Sequence, residues 1–241
     1  MPDEGFTIIN RSCATPLLLT CEHAATYIPD RYAGLGLRAE DVVDHIGWDI
    51  GAAILADELS RQLAAPAVLS GVSRLLVDCN RDLTDHDLMP AVSHGVVIPG
   101  NSAISVAERQ KRLDAHYHPY HQAIDGILES RPVKLLLSIH SFTPALNGSH
   151  RPFDVGVLFD DCIREAEYLA AAIVAQGFTA RMNEPYSGLD GLIFSARSHG
   201  RGHGVTYLEL EVNNGLLRDE APARAIGRRL AAAVSALPVL A

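Results

Sequence analysis

The chain reads as a single α/β domain over residues 1–241, with a central, mostly parallel or mixed sheet and helices on both faces. Three observations predict this. Short apolar runs alternate with longer runs of helical periodicity, which is the βαβα pattern. Several apolar runs end directly on polar, titratable residues, as strands do where an open α/β sheet carries its ligand site. The chain has 241 residues, 48% of them hydrophobic, enough to bury one large core, and no repeat, low-complexity tract or long linker divides it.

The elements follow in order. Pro16 to Thr20 (PLLLT) is a short apolar run and predicts a buried strand. After Trp48, DIGAAILADELSRQL carries apolar residues at helical spacing and stops near Pro66. Pro66 to Val72 and Arg74 to Val77 read as one or two strands. Asp82 to Asn101 carries Pro90, Gly95, Pro99 and Gly100 and few periodic residues, so it reads as a long connection of the kind that often serves function. Ser105 with Glu108 fits a capping box, opening a helix that runs to about Ser130 with a kink at Pro119. Val133 to Ile139 and Phe153 to Phe159 read as strands. Cys162 to Gln176 is a helix that Gly177 stops. Gly204 to Val212 is a strand, and about Asp219 to Ser235 a helix.

Composition narrows the function. A formal net charge of -9 disfavours nucleic acid, whose phosphates need a basic face. It leaves room for a small anionic substrate held by a few placed arginines. Met1 to Asn10 lacks the pattern of a secretory signal, and no apolar run is long enough to span a bilayer, so a cytoplasmic protein without a membrane partner is expected. The cysteines at 13, 21, 79 and 162 are scattered and read as free thiols. Oligomeric state is left open.

The candidate chemistry lies at strand ends. PLLLT leads into Glu22 and His23, RLLVD into Asn80 and Arg81, LLLSI into His140, and TYLEL into Glu211. Neutral imidazole is a common metal ligand, so His23 and His140 are metal candidates, although hydrogen-bonded strand-end histidines would read the same way. Asp49 or Glu22 could complete a three-ligand site with an open position; equally, Asp49 could be a charge at a helix start and Glu22 a solvated turn residue. Glu209 and Glu211 alternate with apolar residues and share one strand face, and Glu211, nearer the strand end, is the candidate general base. Arg74 and Arg81 offer planar forks for a carboxylate and Asn80 a donor for an oxyanion, against the plainer reading of an ion pair between Arg81 and Asp78 or Asp82. Ser141, next to His140, joins the substrate-binding candidates. His116, His118 and His121 crowd one helix and read as solvated or core-edge residues. His94, His199 and His203 sit in glycine-rich stretches and read as loop residues near the site. NEPYSG reads as a turn. No GxSxG elbow, P-loop, dinucleotide fingerprint or EF-hand is present.

Taken in order, LTCEHAATYIP, DHIGWDIGA, SRLLVDCNR, HPYH, SIHSFTP, NEPYSG and YLELEVNN resemble the N-formylglutamate amidohydrolase family, from about Thr20 to Asn214. The resemblance implies a fold like that of the zinc-dependent exopeptidases and hydrolysis of an amide in a small acylated amino acid, N-formyl-L-glutamate giving formate and glutamate. It implies that His23 and His140 are metal histidines, that Glu211 is the acid of the late strand, and that Arg74, Asn80 and Arg81 hold a substrate carboxylate and the oxyanion. Where family deformylases read roughly PHSG this chain reads CEHA, and where they read roughly DTDWH it reads HIGWD, which puts Asp49 in place of a histidine and the chain in a CEHA-type branch. Aspartate is an acceptable zinc ligand.

The expected protein is therefore a metal-dependent amidohydrolase with one divalent ion, zinc first, and a small anionic N-acyl amino acid as substrate. The rivals are hydrolysis of another N-acyl amino acid or a short peptide end, and a non-catalytic binding protein on the same scaffold.

Overall fold

A computed structural model describes residues 5–146 and 148–241. Among these residues one large sheet is built from β1 (Phe6–Ile9), β2 (Leu17–Cys21), β3 (Ala67–Ser70), β4 (Leu135–Phe142), β5 (Val155–Leu158), β6 (Ala180–Met182) and β7 (Thr206–Asn213). Their spatial order is β1-β3-β2-β4-β7-β5-β6. The middle strands β3, β2, β4 and β7 are mutually parallel. β1 joins β3 antiparallel, β5 joins β7 antiparallel, and β6 runs parallel to β5, so the sheet is mixed. Central strands covered on both faces are continuous apolar runs. All eight residues of β4 are buried.

Helices cover the two faces. On one lie α1 (Ala52–Leu63), α4 (Ile163–Ala175) and α6 (Glu220–Ser235), packed on Leu17, Leu19, Leu137, Leu208 and Leu210. α1 buries Ala52, Leu55, Ala56 and Leu59, an i, i+3, i+4, i+7 stripe. It opens on Gly51 at φ 82°, a conformation that favours glycine. On the other face lies a long helical run and then α5 (Phe194–His203). The run comprises α2 (Val106–Arg112), a π-helical stretch at Leu113–Tyr117, and α3 (His118–Ser130). Ser105 caps it, its hydroxyl accepting the Glu108 N–H at 3.1 Å. Pro119 has no N–H to give the preceding turn, and the wider π-helical turn absorbs the missing bond.

The expected α/β class holds, and the differences have local causes. Arg74 to Val77 is a buried turn and not a strand: its neighbour Ser73 donates to Tyr27, Arg74 donates to Gly47, and Leu76 donates to Ser73, so the backbone bonds go to loops. β1 and β6 are four and three residues long, too short for a periodic signal. The stretch holding His199 and His203 is a helix and not a loop. Its Gly200 is there for packing: a Cβ would lie 2.3 Å from the Tyr207 ring of β7. The long 82–101 connection contains a 3-10 turn at His86–Leu88, a hairpin pairing Val92–Ser93 with Val96–Val97, and a helical turn at Pro99–Ser102. Pleating puts Leu18, Leu136 and Tyr207 into the core on the α3/α5 side. Farther along the same strands that side carries Glu22, His140, Glu209 and Glu211, so the apolar face gives way to a polar one at the carboxyl ends.

Candidate active site

The cleft at these carboxyl ends has a volume of about 200 Å³ and is lined among others by His23, Asp49, Arg74, His140, Tyr186 and Glu211. The sheet register creates its floor: His140 on β4 pairs with Glu211 on β7, and Ser138 with Glu209, so these four side chains stand as neighbours on one face. His23 lies two residues beyond the end of β2, after Glu22. Asp49 arrives from the turn before α1, where its backbone N–H donates to the His23 carbonyl at 3.0 Å.

His23, Asp49 and His140 each offer a ligand atom, and these atoms lie within 4.8 Å of one another. His140 Nδ1 is 2.8 Å from Asp49 Oδ2, and His23 Nδ1 is 3.4 Å from Asp49 Oδ1. Behind each ring stands a second carboxylate. Asp78 Oδ1 lies 2.7 Å from His23 Nε2, and Glu22 Oε2 lies 3.0 Å from His140 Nε2. Carboxylates that grip the outer nitrogen of a histidine fix its tautomer and orientation, an arrangement common around metal-ligating imidazoles. The donor set of two imidazoles and one carboxylate suits zinc, with the cleft side left for substrate. Glu22 is turned away from Asp49 and held by Ser138 at 2.6 Å and Tyr120 at 2.9 Å. Ser141 also serves Asp49: its N–H donates to Oδ2 at 3.1 Å, and its hydroxyl donates to the Ile50 carbonyl at 2.9 Å.

Five carboxyl groups, Glu22, Asp49, Asp78, Glu209 and Glu211, are buried here. Burial works against their ionisation, and the neighbours divide them. For Asp49 and Asp78 burial is outweighed by His23, with His140 adding at Asp49 and Arg74 at Asp78, and both are held below the usual carboxylate range. Glu22 is held low against burial by bonds from His140 and Ser138. Burial pushes Glu209 up to about 7 and Glu211 well above its ordinary value, with Asp49 among the charges that add to the latter. Against burial, Glu209, Asp49 and Glu22 raise His140. Glu211 Oε2 is buried with no hydrogen-bond partner among the described residues. A carboxyl oxygen so placed, in a pocket rich in acids, is what an added cation and a substrate proton would satisfy.

The third predicted group divides. Arg74 donates to Asp78 at 2.9 Å and lies 3.7 Å from Asp49, with its side chain open to the cleft. Arg81 lines the cleft and reaches Asp85 at 3.7 Å, in place of the expected surface pair with Asp78 or Asp82. Asn80 is committed within the protein: its amide donates toward Leu192 O and Glu209, each at 3.3 Å, and its oxygen accepts the Ser195 N–H. His94 lines the cleft from the hairpin beside His45, with ring centroids 5.0 Å apart, whereas His199 and His203 do not line it. Sequence reasoning passed over Asp78, Ser138, Tyr120 and Tyr186. Asp78 could have been found by its position between Arg74 and Asn80; Tyr120 lies in the HPYH motif, but only packing shows that its hydroxyl meets Glu22.

Comparison with known proteins gives the class and then the family. The structure is similar to that of N-formylglutamate amidohydrolase from Ralstonia eutropha JMP134, with a TM-score of 0.70 at 16% identity over 95% of this chain and 97% of that one, so the two share a fold. It is also similar to a gene product of Agrobacterium tumefaciens, with a TM-score of 0.90 at 34% identity over 96% of this chain and 95% of that one. A comparison with curated proteins gives no match. The family model of N-formylglutamate amidohydrolase matches residues 15–218, and the chain belongs to that family. It is a hydrolase acting on amide bonds. No helix among the described residues is long and apolar enough to cross a membrane. Cys13, Cys21, Cys79 and Cys162 are free.

Proposed function

We propose that this chain is a metal-dependent amidohydrolase, one catalytic domain that cleaves the amide of a small N-acyl amino acid, with N-formyl-L-glutamate as the first substrate to test. The observation that carries the reading is the convergence of His23, Asp49 and His140 beneath a cleft whose floor holds the unpartnered Glu211. His23 Nδ1, His140 Nδ1 and the Asp49 carboxylate would hold the ion; of the two acids considered, Asp49 faces both rings and Glu22 backs only His140. The chemistry supplied by a zinc ion held there would be polarisation of a carbonyl and acidification of water to a pKa of about 7.

The chain's own residues supply the rest. Asp78 and Glu22 keep both imidazoles turned with Nδ1 toward Asp49. Burial holds Glu211 protonated, against which His140 and Arg74 act; with a cation bound beside it to offset burial, Glu211 would be ionised, accept a proton at Oε2 and return it to the leaving amine. Arg74 and Arg81 give the cleft its cationic wall, where a substrate carboxylate is bound by their forked N–H groups. Asn80 holds Glu209 and the segment at Ser195, which fits it for positioning more than for touching substrate. A cleft of about 200 Å³ suits an acylated amino acid and not a long peptide.

The test is zinc content and turnover of wild type and of His23→Ala/His140→Ala, purified without chelator or affinity metal. The double variant should lose one zinc per chain and all amide hydrolysis across N-formyl amino acids, N-acetyl amino acids and short peptides. Unchanged zinc content in the double variant would sink the ligand assignment. Zinc bound without turnover on any substrate would instead favour a binding protein on a hydrolase scaffold.

A further inference from the structure

On the far side of the α3/α5 layer a separate set of side chains converges. His199 and His203 stand one turn apart on α5, and Asp125 stands one turn after His121 on α3. Asp125 Oδ1 lies 2.7 Å from His199 Nδ1 and 2.9 Å from His203 Nε2. The three ligand atoms lie within 4.8 Å of one another. None of the three residues lines the cleft.

We infer that Asp125, His199 and His203 form a second metal site, which holds a divalent transition ion between helices α3 and α5. The donor set of two imidazoles and one carboxylate is the chemistry that binds zinc and its neighbours. The other ring nitrogen of His199 is held from behind: Nε2 lies 2.8 Å from His121 Nδ1. With the shared proton on His199 Nε2, its Nδ1 presents a lone pair to the Asp125 side. Asp125 is the most exposed of the three and His199 the most buried. The side chain of His199 is 6% exposed, that of His203 22% and that of Asp125 42%. An ion therefore enters past Asp125, and water fills the remaining positions. Ligand bonds of about 2.0–2.1 Å set neighbouring ligand atoms about 3.3 Å apart in a tetrahedron. Asp125, 42% exposed on a short side chain, is the ligand with room to adjust to that spacing.

An ion here bolts together two helices that both reach the cleft floor from behind. α3 holds Glu22 through the Tyr120 hydroxyl, and α5 holds Asn80 through the Ser195 N–H. The site is thus a structural brace beneath the hydrolytic centre, built from residues that the cleft does not use.

The experiment is equilibrium dialysis of metal-stripped protein against micromolar zinc, followed by elemental analysis, on wild type, His203→Ala and His23→Ala/His140→Ala, with folding checked by circular dichroism. Wild type should take up two zinc ions per chain and each variant one. A single zinc in wild type that is lost with His203 and kept without His23 and His140 would support this site and count against the cleft. Equal zinc uptake by wild type and His203→Ala would overturn the proposal. A second readout guards against a poorly folded variant. Zinc should raise the thermal midpoint of wild type by more than that of Asp125→Asn, by about 5 °C where zinc is saturating. Identical zinc-induced shifts in the two would also overturn it.

Discussion

Glu211 shows how a single side chain acquires chemistry from its neighbours. In a solvated strand it would be an ordinary acid; here the pairing of β7 with β4 stands it beside His140, and burial leaves one oxygen without a partner. Glu211→Gln preserves shape and removes the proton acceptor. It should abolish turnover and leave zinc content unchanged, and wild-type rates in this variant would rule out Glu211 as the base. A second residue prediction concerns space. At Gly156 a Cβ would lie 2.0 Å from the Glu184 carbonyl oxygen and 3.3 Å from Glu211 Cβ. The backbone must therefore move in Gly156→Ala, which should lose about 2–3 kcal/mol in urea unfolding and lower kcat with it.

At the scale of the element, the long helical run ties the sheet to the segment before it. His116, in the π-helical stretch, accepts from Arg31 at 3.1 Å and is buried. Burial, then Arg31 and Arg112, push its pKa from 6.5 down to about 4. Between those values the unfolded chain binds a proton that the folded one refuses, so stability is complete above pH 6.5 and falls as the pH drops through the window. The loss should be on the order of 2 kcal/mol by pH 4.5, and His116→Gln should remove that part of the acid slope. An equally steep slope in the variant would show that His116 is not its source. At the start of the same run, Ser105→Ala should cost about 1 kcal/mol, since the Glu108 N–H loses its cap.

At the scale of the whole molecule, two apolar clusters lie on opposite faces of one sheet and draw on the same strands: Leu135 and Leu137 face one, Leu136 the other. Neither cluster can be lost without freeing the strands that the other needs. Unfolding should therefore be a single transition, with the far-ultraviolet circular dichroism and the fluorescence of Trp48 changing together in urea. Separate midpoints would mean that the two faces unfold independently.

Sequence by itself determined the layer architecture and singled out the side chains that the sheet gathers at the candidate site. Strong apolar runs such as that at β4 and the stripe of α1 announce themselves because burial demands their periodicity. His23, His140, Glu209 and Glu211 were legible because each interrupts or ends such a run with a polar group that a core would reject. Short edge strands carry no comparable signal, and Gly200 of α5 imitates a loop residue while serving a close approach to Tyr207. Tertiary structure alone decided which acid faces which ring. Asp49 and Glu22 are equivalent as residue types; packing turns one between two imidazoles and the other behind His140 against Tyr120. The meeting of Asp125 with His199 and His203 was equally beyond the sequence, because it depends on how two helices pack and not on any spacing within one.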